Sequence, residues 1–492
     1  MGDLRAAIKE EMSWGVTENG QACKVTTANA LLDMFGRAGA MRNSSVEDRR
    51  LMFNAAYNEN ADAAVKLLFY VRDIRGGYGE RDTFAHMLRE LAMLNRESVA
   101  KNLWAVMEFG YAKDLYSLIG TEAEDDMWAF MKNQFEMDYE NMKAGKSISL
   151  LAKWIATPDS KSEKTREIGK LTAKKLGYSF KTMSDYKRKL REMRKYLDLP
   201  EAKMCAGKWN EIEYSKCASK FMLKNRNALR EHDKERYEEF FKKVESGEAK
   251  LHTDTLTPVD IVHSVRENYT PDLETTWKAL KDVCEHNALV IADTSGSMSW
   301  HCSNGVYPLE VAQALAIYFA QRNKGNLKDL FMTFSDNPEF VEVNRSTLRD
   351  NLRVVEQADW DGSTNLEAAF DLLLKTAKNG KLANEDMPEA LVIVSDMQIN
   401  CVDGLDSDHR MTFYEVMKER YEAAGYKMPH VVFWNVQATK PTFHATVDTA
   451  GVSMVSGWSV NVFKQVMENI GTTPLDLLNA VLTSDRYKDI VA

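Results

Sequence analysis

Residues 288–298 read ALVIADTSGSM, and this stretch constrains the chain more than any other. Four apolar residues, Leu289, Val290, Ile291 and Ala292, stop abruptly at Asp293, and Thr294, Ser295, Gly296 and Ser297 follow. A short apolar run closed by turn residues predicts a buried strand feeding a loop. Asp293, Ser295 and Ser297 are thereby delivered to the rim of a sheet, where open α/β folds bind ligands. One carboxylate and two hydroxyls are hard oxygen donors, suited to Mg²⁺ or Mn²⁺ rather than Zn²⁺.

Two later stretches extend the set. Residues 360–366, WDGSTNL, present Thr364 in a loop before a helical pattern, and residues 390–396, ALVIVSD, form a second apolar run ending in Asp396. The order Asp-x-Ser-x-Ser, then Thr, then Asp resembles the metal-ion-dependent adhesion site (MIDAS) of von Willebrand factor A (vWA) domains. That resemblance implies direct metal contacts from Ser295, Ser297 and Thr364. It implies that Asp293 and Asp396 act through bound waters and hydrogen bonds. The same fold without its metal is the alternative. An aspartic-protease reading of Asp293-Thr294-Ser295 requires an all-β chain, whereas here helical patterns follow the strands.

From residue 286 onward strand and helix patterns alternate. Strands are expected at 288–293, 329–334, 340–343, 390–395, 430–435 and 452–456. Helices are expected at 308–322, 346–357, 366–378, 411–424, 459–470 and 474–482. This predicts a doubly wound, mostly parallel sheet with a short antiparallel edge near 340. Before residue 285 the periodicity is almost entirely helical, with stretches at 61–71, 82–94, 125–142 and 234–246 among the clearest. The expected domains are an N-terminal extension at 1–25, an all-α helical-repeat domain at 26–270, a linker at 271–285 and the α/β domain at 286–492.

The whole chain of 492 residues carries a net charge of -9, unevenly placed. Residues 286–492 hold 17 Lys/Arg against 27 Asp/Glu, so a polyanion would be met by the N-terminal part. The basic residues concentrate at 150–200, with Lys161, Lys164, Lys174, Lys175, Lys187, Arg188, Arg191 and Arg194 among them. Tyr178, Phe180, Tyr186 and Tyr196 are interleaved. Cations with aromatics are what single-stranded nucleic acid binding uses. A solvated helix face over core aromatics reads the same pattern equally well. Arg72, Arg75 and Arg81 form a second basic candidate around the RGG of residues 75–77, which reads first as a helix-ending turn.

The six cysteines are scattered with no CxxC pair, which points to free thiols in a reducing, cytoplasmic setting. No apolar run is long enough to span a bilayer, and the charged start of the chain is not a signal peptide. No Ser-His-Asp set, Walker motif or Rossmann fingerprint is present, and His301 beside the DTSGS loop reads as a loop residue. The expectation is a protein that is not an enzyme.

Beyond the rim motif, LFYVRDIRGGYGER at 68–81, LLAKWIATPDSKS at 150–162, VIVSDMQ at 392–398 and VVFWNVQ at 431–437 resemble the DUF2828 family of plants, fungi and large viruses. That architecture, a helical half followed by a vWA-like half, is similar to the Ro autoantigen, whose TROVE module is a ring of helical repeats closed by a vWA domain. The resemblance implies a structured or single-stranded RNA as partner of the helical half. It also implies a Mg²⁺-dependent domain that closes the ring or takes a partner protein's carboxylate on the metal. A metal-dependent protein-interaction adaptor with no RNA role is the alternative.

Overall fold

The computed structural model describes residues 4–300, 305–358, 363–403 and 411–492. His301 and Trp360 lie outside them. The chain forms two compact units, one of Met1–Thr83 with Thr253–Lys488, the other of Phe84–His252 with Asp489–Ala492.

The first unit is built on a six-stranded sheet of order β5-β4-β3-β6-β7-β8. Its strands are β3 (Ala288–Asp293), β4 (Leu330–Phe334), β5 (Phe340–Glu342), β6 (Ala390–Ser395), β7 (His430–Asn435) and β8 (Val452–Ser456). All neighbours are parallel except β4 and β5, which pair antiparallel at the edge. Every residue of β3, β6, β7 and β8 is buried, so both faces of the sheet are covered. That is why β3 (ALVIAD) and β6 (ALVIVS) read as apolar runs rather than as alternation, while β8 (VSMVS) buries two serines as well. Helices Pro308–Arg322, Leu348–Gln357, Leu366–Gly380, Phe413–Ala423, Asn461–Glu468 and Pro474–Leu482 occupy the expected stretches. Several start on caps legible in the sequence: Thr347, Asn365, Thr412 and Thr473 each accept a backbone N–H of the first turn.

Three expected boundaries are corrected, and residues 253–270, expected in the helical domain, also belong to the sheet unit. The first 83 residues belong with the sheet, not with the helical half. Helix Ala30–Arg37 packs on β8, the Gly39 N–H donates to Ser456 Oγ at 2.9 Å, and Tyr78 donates its hydroxyl proton to the Phe35 carbonyl. A Cβ at Gly39 would sit 2.6 Å from the Ser456 carbonyl oxygen, so that approach requires glycine. The stretch expected to be an extension holds a hairpin of β1 (Trp14–Val16) and β2 (Ala22–Lys24), each too short to show alternation. The expected linker at 271–285 begins with helix Pro271–Lys278. Trp277 donates its indole N–H to Gln321 at 2.8 Å on helix Pro308–Arg322, which secures this segment to the sheet unit.

The second unit is helical, from residue 84 of helix Asp82–Leu94 through Glu124–Lys143, Glu163–Lys175, Met183–Tyr196, Ser219–His232 and Lys234–Glu245. Its core is aromatic in part: Phe135 stacks on Tyr186 at 5.6 Å, and Tyr178 lies 5.1 Å from Tyr186. The last residues return to it, with Asn102 donating its amide to the Val491 carbonyl at 2.6 Å. Among the described residues no helix is long and apolar enough to cross a membrane, and Cys23, Cys205, Cys217, Cys284 and Cys401 are free.

Candidate metal centre and basic surface

In the sheet order, β3 is flanked by β4 on one side and β6 on the other, so the direction of winding reverses between β3 and β6. The carboxyl ends of these two strands form the crevice where such sheets bind ligands. Asp293 closes β3 and Asp396 follows β6, so the strand order alone brings the two carboxylates together.

Asp293 is fully buried. It accepts the Ser295 backbone N–H at 2.9 Å and the hydroxyl of Ser395, its neighbour on β6. Ser295 Oγ and Ser297 Oγ lie 3.1 Å apart on the loop after β3. Asp396, 5 % exposed, accepts the Gln398 backbone N–H at 3.1 Å, and the Ser297 hydroxyl also bonds to it, partly offsetting the effect of its burial. Met397 between them takes a left-handed φ of 68°, a strained conformation for a buried methionine, and this bend lets Gln398 N–H turn back onto Asp396. Thr364 sits just ahead of helix Leu366–Gly380, and its carbonyl accepts Asn400 N–H at 3.0 Å.

Burial pushes both carboxyls above their ordinary range, and the charge of Asp396 adds to the rise at Asp293. Among the described residues no Lys or Arg pairs with either. Two buried like charges without a cation are costly unless something positive lies between them. The donor set is oxygen only: carboxylates, serine hydroxyls and a threonine hydroxyl. It fits a hard divalent cation such as Mg²⁺ or Mn²⁺. Ser295, Ser297 and Thr364 would hold it, with Asp293 and Asp396 supplying the negative field.

Residues that the strand-loop reading missed surround this rim. The β1–β2 turn reaches it: Asn19 donates its amide to Thr364 Oγ1 at 3.2 Å and to the Gln398 carbonyl at 2.6 Å, while Glu18 N–H donates to Gln398 Oε1 at 2.8 Å. Thr17 donates to the Ile399 carbonyl at 2.7 Å, and Cys401 N–H donates to the Asn19 carbonyl at 3.2 Å. Glu18, paired with Lys440 at 2.8 Å, adds its negative charge to the surroundings of Asp396. These partners are more than 340 residues apart in sequence, which is why no local pattern announced them. Ser395 alone carried a signal, as a hydroxyl on the last residue of a buried strand.

The basic candidates divide. Arg72 is 2 % exposed and has no face to offer a ligand; the physical reason is its place on a helix, Ala61–Arg72, whose last turns are entirely buried. Arg75 and Arg81 are exposed. In the second unit Arg194 is taken up internally, donating to the carbonyls of Ala152 at 2.8 Å and Ile155 at 3.0 Å and to Thr157 Oγ1 at 3.0 Å. It therefore holds the LLAKWIATP segment in place. Lys175 pairs with Asp125 and Glu124, Lys187 with Asp159 at 2.6 Å, and Arg188 with Asp185 at 2.6 Å and Glu192 at 2.9 Å. Lys161, Lys164, Lys174 and Arg191 are exposed with no ion pair among the described residues, and Lys170, Lys181 and Lys195 share that state. Residues 84–252 as a whole hold 33 Lys/Arg against 27 Asp/Glu, a balance of +6 in a chain of -9.

A helical unit in one chain with a doubly wound, mostly parallel sheet is a Ro-like class of fold. The crystal structure of the Deinococcus radiodurans RO (RSR) protein shares it: that likeness covers 93 % of this chain and 99 % of the other, with a TM-score of 0.50 and 14 % identity. Residues 17–150 and 130–294 match the family described as domain of unknown function DUF2828, and residues 287–481 match the domain of unknown function DUF7788. The chain belongs to the DUF2828 family. It is also 27 % identical over 513 aligned positions to "Uncharacterized protein L728" of Acanthamoeba polyphaga mimivirus, spanning 95 % of this chain and 86 % of that one.

Proposed function

We propose that this chain is a non-enzymatic RNA-binding protein whose helical unit holds RNA electrostatically and whose sheet unit is a vWA-type domain with a Mg²⁺ or Mn²⁺ at the β3–β6 switch point. The observation that carries the RNA reading is the set of exposed cations on helices Glu163–Lys175 and Met183–Tyr196 and the turns beside them. Seven of them stand without acidic partners among the described residues, in a chain that is acidic overall. A solvated helix face ordinarily mixes its charges, as Arg188 does with Asp185 and Glu192. The resemblance to Ro-type proteins supports the same reading. The metal, held largely by neutral hydroxyls, keeps an electrophilic position for a carboxylate from a partner.

The test is a filter-binding titration of the purified chain with labelled RNA over a range of salt. Reversing Lys161, Lys164, Lys174 and Arg191 to Glu should remove most of the affinity. Every phosphate that the variant no longer neutralises should flatten the log–log salt slope by about 0.7 to 0.9. Affinity and slope equal to the parent's would overturn the assignment. A metal-dependent adaptor is the second reading, supported by the paired buried carboxylates at the switch point. It predicts protein partners that dissociate in EDTA, and no RNA.

A further inference from the structure

A cavity of about 780 Å³ opens on the helical unit between helices Glu163–Lys175 and Met183–Tyr196. Lys170, Lys174 and Lys187 line it together with Tyr178, Phe180 and Met183, and the Asp159 carboxylate borders it as well. Phe180 is 97 % exposed. Among the described large hydrophobic side chains this is the extreme, so almost the whole ring stands in water rather than in the core of the unit. Its backbone is nevertheless fixed. Ser179 N–H donates to Thr182 Oγ1 at 2.8 Å, and Thr182 N–H donates to the Ser179 carbonyl at 3.1 Å, so the tight turn projects the ring at a defined place. Tyr178 behind it is braced against Phe135 and Tyr186 and by Lys189, which donates to its hydroxyl at 3.2 Å.

We propose that this cavity is a docking site for one unstacked nucleotide of single-stranded RNA, its base lying on Phe180 and its phosphate between Lys170 and Lys174. The proposal rests on the reading that the helical unit binds RNA, and it names where a base, rather than the backbone alone, is held. Three features select this occupant. Lys170 and Lys174 have no acidic partner among the described residues, so they are open to an anion. Lys187 is tied to Asp159, and that carboxylate on the rim disfavours a second phosphate close by. A bare aromatic face presented to water is what stacks on a base of any identity. The cavity lies within the size range that takes a ligand as large as a nucleotide. A duplex buries its base faces in its own stack, so the site discriminates against double-stranded RNA.

The experiment uses the full chain and a fluorescein-labelled oligouridine of about twelve nucleotides, a length that reaches past a single base-stacking site, with a hairpin duplex of equal charge as the second probe. Phe180 is nearly free of packing, so Phe180→Ala leaves the fold intact, which circular dichroism checks. The variant should lose about 5- to 150-fold in affinity for the oligouridine, with an unchanged salt slope and unchanged duplex binding. Lys170→Glu/Lys174→Glu should lose affinity and flatten the slope by about 0.7 per phosphate released. Wild-type affinity for oligouridine in Phe180→Ala overturns the docking site while leaving the RNA surface standing. Loss in the lysine variant alone also overturns it, because the base then makes no stack. If the parent chain binds neither probe, the RNA reading and the docking site fall together.

Discussion

The amide of Asn19 donates to the hydroxyl of Thr364 across 345 positions of sequence, at 3.2 Å. The same amide donates to the Gln398 carbonyl, whose residue's N–H holds Asp396. One side chain from the N-terminal hairpin thus fixes the orientation of a candidate metal ligand and the loop of a candidate metal carboxylate together. With one lone pair of Thr364 Oγ1 engaged by Asn19, the other remains for a cation. A ligand whose orientation is set before the metal arrives loses less freedom on binding it. Asn19→Ala should weaken Mg²⁺ binding by about five- to tenfold, the worth of a hydrogen bond near 1 kcal/mol. The fold should survive, because Thr17 and Gln21 still anchor the hairpin. Isothermal titration calorimetry with MgCl₂ checks this, and an affinity equal to wild type would leave Asn19 a purely structural residue.

Removing the proposed metal should destabilise the sheet unit. A cation that binds only the folded state at a hundredfold excess over its Kd contributes about 2.7 kcal/mol. For a unit of this size that shifts the melting temperature by several degrees. Scanning calorimetry in excess Mg²⁺ against EDTA should show the difference in the parent chain and its loss in Thr364→Ala. Asp293→Asn relieves the repulsion between two buried carboxylates, so this variant should match or exceed the parent's melting temperature in EDTA and gain nothing from Mg²⁺. The same Mg²⁺ increment in all three proteins would remove the ion from this site.

The difference between what was legible and what was not follows from range. Strands β3, β6 and β7 are covered on both faces, so their sequences are largely apolar, and the ends of β3 and β6 are marked by polar residues that lead to Asp293 and Asp396. The antiparallel edge at Phe340–Glu342 was legible because a short strand follows β4 after only a turn. The hairpin at 14–24 was not, since three-residue strands carry too little period to register. The unit boundary was misplaced for a related reason: helix Ala30–Arg37 looks like any amphipathic helix, and long-range contacts such as its packing on β8 and the bond from Gly39 to Ser456 tell which core it joins. For Arg72 and Arg194, composition counted charge without knowing that one is buried and the other spends its donors on carbonyls of its own unit.

His430 opens β7 and is buried, with its Nδ1 accepting the Gly471 N–H at 3.0 Å. That leaves the proton on Nε2, donated to Ser453 Oγ at 2.9 Å. Burial alone pushes its pKa down from the ordinary 6.5 to about 4. Above pH 6.5 neither the folded nor the unfolded chain protonates it, and its neutral packing is fully available. As pH falls through 6.5 the unfolded chain takes up the proton and the folded chain does not, so stability drains until about pH 4 and then levels off. The loss is on the order of 3 kcal/mol. Urea unfolding at about pH 7, 6 and 5, spanning the imidazole titration, should show a steeper decline in the parent than in His430→Gln, which cannot titrate. Parallel declines would show that this imidazole is not responsible.

The RDIRGGYGER segment reads as a structural clasp. Asp73 is fully buried beyond the end of helix Ala61–Arg72, and Arg486 from the end of the chain donates to both of its oxygens, with Tyr487 adding its hydroxyl at 2.9 Å. Gly76 and Gly77 allow the turn to close around this pair. A Cβ on Gly77 would lie 2.0 Å from the Tyr70 carbonyl oxygen, and one on Gly76 would lie 2.8 Å from Asp73 and 2.9 Å from Arg486. Removing Arg486 strips a buried carboxylate of its counter-charge, a change that costs about 3 kcal/mol. Gly77→Ala forces the backbone apart and should cost about 1–3 kcal/mol. The double variant Asp73→Asn/Arg486→Gln replaces the charges by neutral hydrogen-bonding groups, so it should recover much of what Arg486→Ala loses. Urea midpoints of the parent and these variants measure the order directly. If Arg486→Ala unfolds at the parent's midpoint, the clasp contributes nothing, and the exposed Arg75 and Arg81 beside it become the reason for the segment's basic character.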